Sequence, residues 1–134
     1  MIKVALDVMG GDNAPYEIVK GAVLAVNENK ELKVYLVGQS AVVHDTLNRL
    51  RGEGLEINMN ALEIIEASEV ITNDEAPVMA IRKKKDSSIS VAMRLVKEEK
   101  ADAFVSAGST GAVLVGGQLI VGRLKGIERS PLAS

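Results

Sequence analysis

Short apolar runs alternate with helix-period segments along this chain, which predicts an α/β fold with an open, mainly parallel sheet and helices on both faces. Three observations carry that expectation. Ile2–Val8 is almost continuously apolar, broken early by Lys3, as a strand covered on both sides must be. Ile18, Val19, Ala22, Val23 and Val26 then recur at helical spacing. Glycine-rich turns follow both the first and the last predicted strand, as Met9-Gly10-Gly11-Asp12-Asn13-Ala14-Pro15 and as Gly108-Ser109-Thr110-Gly111.

The first helix is expected over roughly 15–29, with Pro15 at its first position and Asn13 as cap. Lys33–Val37 reads as the second strand, closed by Gly38. Ser40 is positioned to cap a helix bearing Val42, Val43, Leu47 and Leu50, which Gly52 ends. Leu55–Met59 and Leu62–Glu66 compete as the third strand, and Leu62–Glu66 is preferred. Ala67–Ala76 is polar and reads as loop. Pro77 starts a short helix with Val78, Ala80 and Ile81. Ser87 or Ser88 caps the next one, whose core face is Ile89, Ala92, Val96 and Leu95. Ala103–Ser106 is the fourth strand, and a last helix runs from Ser109 onward. No repeat, low-complexity tract or linker divides the chain, and residues 1–134 are expected to form one α/β domain.

Composition narrows the function. The chain is 47% hydrophobic and 25% charged, so it is globular, and at 134 residues it can bury about two-thirds of its unfolded surface. A net charge of -2, one Phe, two Tyr and no Trp leave no case for nucleic acid. Without cysteine there are no disulfides, thiolate nucleophiles or thiolate metal sites, which fits a cytoplasmic protein. A single histidine, His44, builds no zinc cluster. It falls among Val42, Val43 and Leu47, far from either glycine turn, and reads as a surface or hydrogen-bonded histidine and not as a catalytic base. No stretch reads as a signal peptide, and the apolar run from Ala112 to Val121 is too short to cross a bilayer. The stretch from Gly126 to Ser134 reads as a connection toward a further strand, so the chain is expected to be the N-terminal part of a longer protein.

In parallel sheets, ligands gather beyond the carboxyl ends of the strands, where both glycine turns fall. Gly108, Ser109, Thr110 and Gly111 place hydroxyls and free N–H groups at a helix N-terminus, which carries roughly half a positive charge and suits an oxyanion. A capped tight turn would use the same residues. The patterns of a P-loop and of a dinucleotide fingerprint are both absent. Gly10, Gly11, Asp12 and Asn13 form the second turn, where glycines permit an unusual backbone or a close approach. Asp7 and Asp12 would orient a substrate or cap backbone donors; without further ligands no metal is expected. Ser106 is a weaker candidate. The run Arg82-Lys83-Lys84-Lys85 would meet phosphate or an acidic partner, or is a solvated helix end. Gly116 and Gly117 cost helix stability, roughly 1 kcal/mol each, and are expected to mark close packing.

Ala5-Leu6-Asp7-Val8-Met9-Gly10-Gly11-Asp12-Asn13-Ala14-Pro15 resembles the opening of the PlsX family, the phosphate acyltransferases of fatty acid and phospholipid synthesis. The resemblance continues through Glu75-Ala76-Pro77, Ile81–Ser88, Ala101–Ala112 and Val121–Arg129. It implies a fold similar to isocitrate and isopropylmalate dehydrogenases, and transfer of a fatty acyl group from acyl carrier protein to inorganic phosphate. The acyl phosphate would feed a glycerol-3-phosphate acyltransferase. It further implies a homodimer and loose attachment to the inner membrane surface. No cofactor is implied. Lys84 or Lys85 would add positive charge or receive the carrier protein. The family usually has asparagine where this chain has Ser109; serine keeps capping ability and loses the amide's reach. Family members continue past Ser134, and the remainder is expected to supply more sheet, part of the active site and the dimer interface. The alternatives are a non-catalytic portion of that enzyme, or a phosphate-binding relative of the dehydrogenases or phosphotransacetylases.

Overall fold

The computed structural model describes residues 1–72, 74–117 and 120. Nine elements run in the order β1 (Ile2–Asp7), α1 (Tyr16–Glu28), β2 (Leu32–Gly38), α2 (Ser40–Gly52), β3 (Leu62–Glu66), α3 (Pro77–Lys83), α4 (Ser88–Lys97), β4 (Ala103–Val105) and α5 (Thr110–Gly116). The strands form one parallel sheet in the order β3-β2-β1-β4. The α/β class with a parallel sheet is therefore as expected, and Leu62–Glu66, not Leu55–Met59, is the third strand.

Alternation along β2 shows how the layers form. Val34 and Leu36 face a core shared with Val19, Val23 and Val26 of α1 and with Val43, Leu47 and Leu50 of α2. Tyr35 and Val37 face the other way, toward Ala92 and Leu95 of α4. This two-residue period puts helices on both faces. A third cluster joins Ala80 and Ile81 of α3, Ile89 and Met93 of α4 and Ala112 of α5, so α3 and α5 lie over α4. Among the described residues no helix is long and apolar enough to cross a membrane.

Local corrections concern the ends. Asn13 contributes its carbonyl, not its side chain, to the start of α1, accepting from the Glu17 amide at 3.2 Å. Pro15 is the cap residue itself, because the turn over 12–15 must finish before the helix begins. At α2 the cap residue is Gln39, and Ser40 is already helical. The Ser40 amide donates to Glu66 Oε2 at 2.6 Å, so a carboxylate from the end of β3 replaces a local cap. The Ser40 hydroxyl, followed by that amide contact, holds the Glu66 carboxyl below its ordinary value. Gly52 stays within α2, and Gly54, at φ +91°, makes the reversal. Ser87, not Ser88, caps α4, accepting from the Ser90 amide at 3.1 Å. On α4, Met93 is buried and Val96 only partly so.

Gly116 does mark close packing, since a Cβ there would strike Met93 Sδ and lie 3.3 Å from Ile81 Cδ1. Among the described residues, no atom lies within 4 Å of such a Cβ on Gly117. The readings that fall on Gln118, Leu119 and residues 121–134 lie outside the described residues.

Leu36 sits in the central sheet with no exposed surface. Leu36→Ala should lower the unfolding free energy by about 3 kcal/mol. Leu24→Ala, on the outer face of α1 where Leu24 is 43% exposed, should cost about 0.5 kcal/mol or less. Urea denaturation of both variants checks the contrast.

Candidate functional site

The chain adds β2 and β3 on one side of β1, then returns to place β4 on the other. Between β1 and β4 the strand order reverses. The connections leaving these neighbours go to opposite faces, and a crevice opens between them. Both glycine turns lie at that point. Gly10 and Gly108 approach so closely that a Cβ on Gly10 would strike Asp7 Oδ2 and lie 2.9 Å from Gly108 Cα. Gly11 takes φ +99°, with Ala107 against it.

Asp7, the last residue of β1, fastens the two turns. It is 0% exposed. Its Oδ1 accepts from the Met9 and Gly10 amides at 3.0 and 3.1 Å. Its Oδ2 accepts from the Ser106 hydroxyl at 2.8 Å. Ser106 Oγ in turn accepts from the Gly108 amide at 3.0 Å. A buried carboxylate is costly unless it is well hydrogen-bonded, and three donors from both turns answer that need.

The crevice has a volume of about 180 Å³ and is lined by Met9, Gly10, Gly11, Asp12, Gly108 and Ser109, with Val70, Ile71 and Thr72 on the far wall. Ser109 is nearly buried and caps α5, its Oγ accepting from the Ala112 amide at 3.2 Å. Thr110 is exposed at the helix start. Among the described residues no protein acceptor engages the amides of Ser109, Thr110 or Gly111. Gly111 meets Pro77 instead of the crevice: a Cβ there would lie 2.6 Å from Pro77 Cγ, so its small size seats α5 against α3. Asn13 is exposed and does not line the crevice.

The far wall escaped sequence reasoning, which read 67–76 as polar loop. The apolar pair Val70-Ile71 inside that stretch is the signal that was available; Ile71 is buried. Lys84 supports this wall. Its ammonium donates to the Val70 carbonyl and to Glu75 Oε2, both at 2.8 Å. Glu75 Oε2 also accepts from the Thr72 amide at 2.8 Å. The ammonium of Lys84, followed by the Thr72 amide, holds the Glu75 carboxyl below its ordinary 4.5. Lys85 is exposed, and its carbonyl accepts from Arg94. His44 is exposed on α2, away from the crevice.

The architecture defines a parallel α/β protein whose cleft opens at the topological switch point, between glycine turns that share a buried carboxylate. The chain belongs to the fatty acid synthesis protein family, whose model matches residues 2–134. Relatives named phosphate acyltransferase align along nearly its whole length. That of Clostridium tetani is 47% identical over 132 residues, 98% of this chain and 38% of its own. That of Syntrophomonas wolfei is 47% identical over 133 residues, 99% of this chain and 40% of its own. The relative from Thermoanaerobacter pseudethanolicus is 46% identical over 132 residues, 98% of this chain and 37% of its own. The chain thus spans about two-fifths of the length of these curated relatives.

Asp7→Ala should cost about 3 kcal/mol, because two amides and a hydroxyl lose a charged acceptor. Exchange of the Met9 and Gly10 amide protons should accelerate with it, whereas Ser106→Ala should cost about 1 kcal/mol; denaturation and hydrogen exchange read both. Glu75 gives a pH test. Its depressed pKa adds stability that is complete above the ordinary value and is lost as pH falls through the folded-state value. Lys84→Met should raise the Glu75 pKa toward 4.5. The stability gap between native and variant protein should be widest near neutral pH and shrink in acid; NMR titration and denaturation across pH measure the two effects.

Proposed function

We propose that this chain carries the phosphate-binding part of an acyltransferase that moves a fatty acyl group from acyl carrier protein to inorganic phosphate. The observation that carries the reading is the crevice at the switch point, walled by Gly10, Gly11, Gly108 and Ser109, in a chain whose relatives are named phosphate acyltransferase. Phosphate is itself a nucleophile, so direct attack on the thioester carbonyl needs no nucleophilic side chain. The protein's task is then to hold the anion beside the acyl group and to stabilise the developing oxyanion with oriented N–H groups. The free amide of Ser109, in the crevice wall, suits that task, with that of Thr110 beside it at the helix start. Gly10, Gly11 and Asp12 shape the opposite side, and Asp7 and Ser106 position both turns. Lys84 acts through the wall it supports, and Lys85 is free to meet an acidic carrier protein.

On this reading the chain forms a single α/β domain over residues 1–134. The resemblance to PlsX proteins adds a cytoplasmic homodimer at the inner membrane surface, working ahead of a glycerol-3-phosphate acyltransferase. A second reading, phosphate binding without turnover, is favoured by the coverage of only 38% of a relative's length.

Incubation with acyl-carrier protein thioester and phosphate, followed by hydroxylamine trapping, tests the proposal. Acyl hydroxamate that depends on phosphate supports acyl transfer. Phosphate binding with no product supports the second reading, and neither binding nor product overturns both. In a protein that turns over, Gly108→Ala should raise the phosphate KM by about tenfold with little change in kcat. The added methyl would lie 3.2 Å from both Gly10 Cα and Ser106 Oγ; an unchanged KM in a folded variant would remove Gly108 from the site.

A further inference from the structure

The crevice is unusual in its charge. Its lining comprises apolar side chains, hydroxyls, glycine backbone and one carboxylate, Asp12, with no Lys or Arg among the described residues. A second carboxylate, Asp7, lies beneath the two turns. Lys84 reaches the wall only from behind, where Glu75 shares its charge. A carboxylate that lines an oxyanion site is an acceptor facing acceptors. Sulfate, which carries no proton near neutral pH, meets it with repulsion and no hydrogen bond. Hydrogenphosphate has nearly the same size and tetrahedral shape, and it keeps one P–OH group.

We propose that Asp12 makes the crevice selective for a protonated oxyanion, accepting a hydrogen bond from the P–OH of hydrogenphosphate and disfavouring sulfate. The proposal rests on the phosphate reading above and names how that site chooses its anion. A group that must find a donor rejects a ligand that lacks one, so specificity comes from the mismatch as much as from the match. Asp12 is exposed, so water screens the repulsion. The expected discrimination is about tenfold, not the far larger ratios of fully buried sites. Hydrogenarsenate, with the same geometry and an equivalent As–OH, belongs with phosphate.

The test uses the isotope-labelled chain titrated with phosphate, arsenate and sulfate near neutral pH and at constant ionic strength, followed by the amide resonances of Gly10, Gly11, Gly108, Ser109 and Thr110. Phosphate and arsenate should shift these resonances with similar Kd values, and sulfate should bind about tenfold more weakly. Asp12→Asn replaces the acceptor edge with an amide that can donate to sulfate, and should bring the three anions within about twofold. Asp12→Ala should also narrow the ratio, by loss of repulsion alone. Equal binding of sulfate and phosphate to the native chain, or an unchanged ratio in both variants, overturns the role of Asp12 while leaving the crevice an anion site. If no anion shifts these resonances, the phosphate reading falls and this proposal with it.

Discussion

The buried carboxylate of Asp7 is the constraint on which the site depends. It stands at the end of β1, out of water, with no cation against it among the described residues. Desolvating such a charge is tolerable only where hydrogen-bond donors replace the lost water. The Met9 and Gly10 amides supply two, and the Ser106 hydroxyl reaches across from the end of β4 to supply a third. Two loops 99 residues apart in sequence are thereby tied to one side chain. Glycine at 10 and 108 then follows from geometry. With the backbones in contact around the carboxylate, there is no room for a Cβ on Gly10 and scarcely any on Gly108.

Sheet topology explains why this happens between β1 and β4. These strands are neighbours whose following segments depart to opposite faces, so their turns part and leave a gap. The third wall comes from the segment after β3, which has no regular structure of its own at the crevice. It is pinned instead by side chains and one short bridge. Ser68 donates to Asp86, Glu69 pairs with Ser87, and Lys84 holds the Val70 carbonyl. The basic run after α3 thus divides its work. Lys84 is structural and turned inward, whereas Arg82, Lys83 and Lys85 remain exposed.

Such a crevice is made of amides and hydroxyls with little formal charge, a composition suited to gripping an anion by direction as well as by attraction. Backbone dipoles fixed by a rigid scaffold need not reorganise when charge develops beside them, which is the condition for effective electrostatic stabilisation. The rigidity has a visible origin: a capping serine at 109, a glycine at 111 that lets α5 sit on Pro77, and a second close contact at Gly116 against Met93.

The sequence by itself determined the strand and helix alternation and the order of elements, to within a residue or two at most ends, because apolar periodicity is a local property. It also marked both glycine turns, since these signals are short and adjacent, but left Asp7 between orienting a substrate and capping backbone donors. The caps of α1 and α2 were misread because the groups that fill them are a carbonyl and a carboxylate whose availability depends on the surrounding fold. Whether Gly111 faced a ligand or Pro77, whether Lys84 met solvent or Glu75, and which residues formed the far wall were decided only by tertiary structure. Each of those outcomes depends on segments brought together by a parallel sheet, and a linear pattern carries no record of which distant backbone will arrive beside a given side chain.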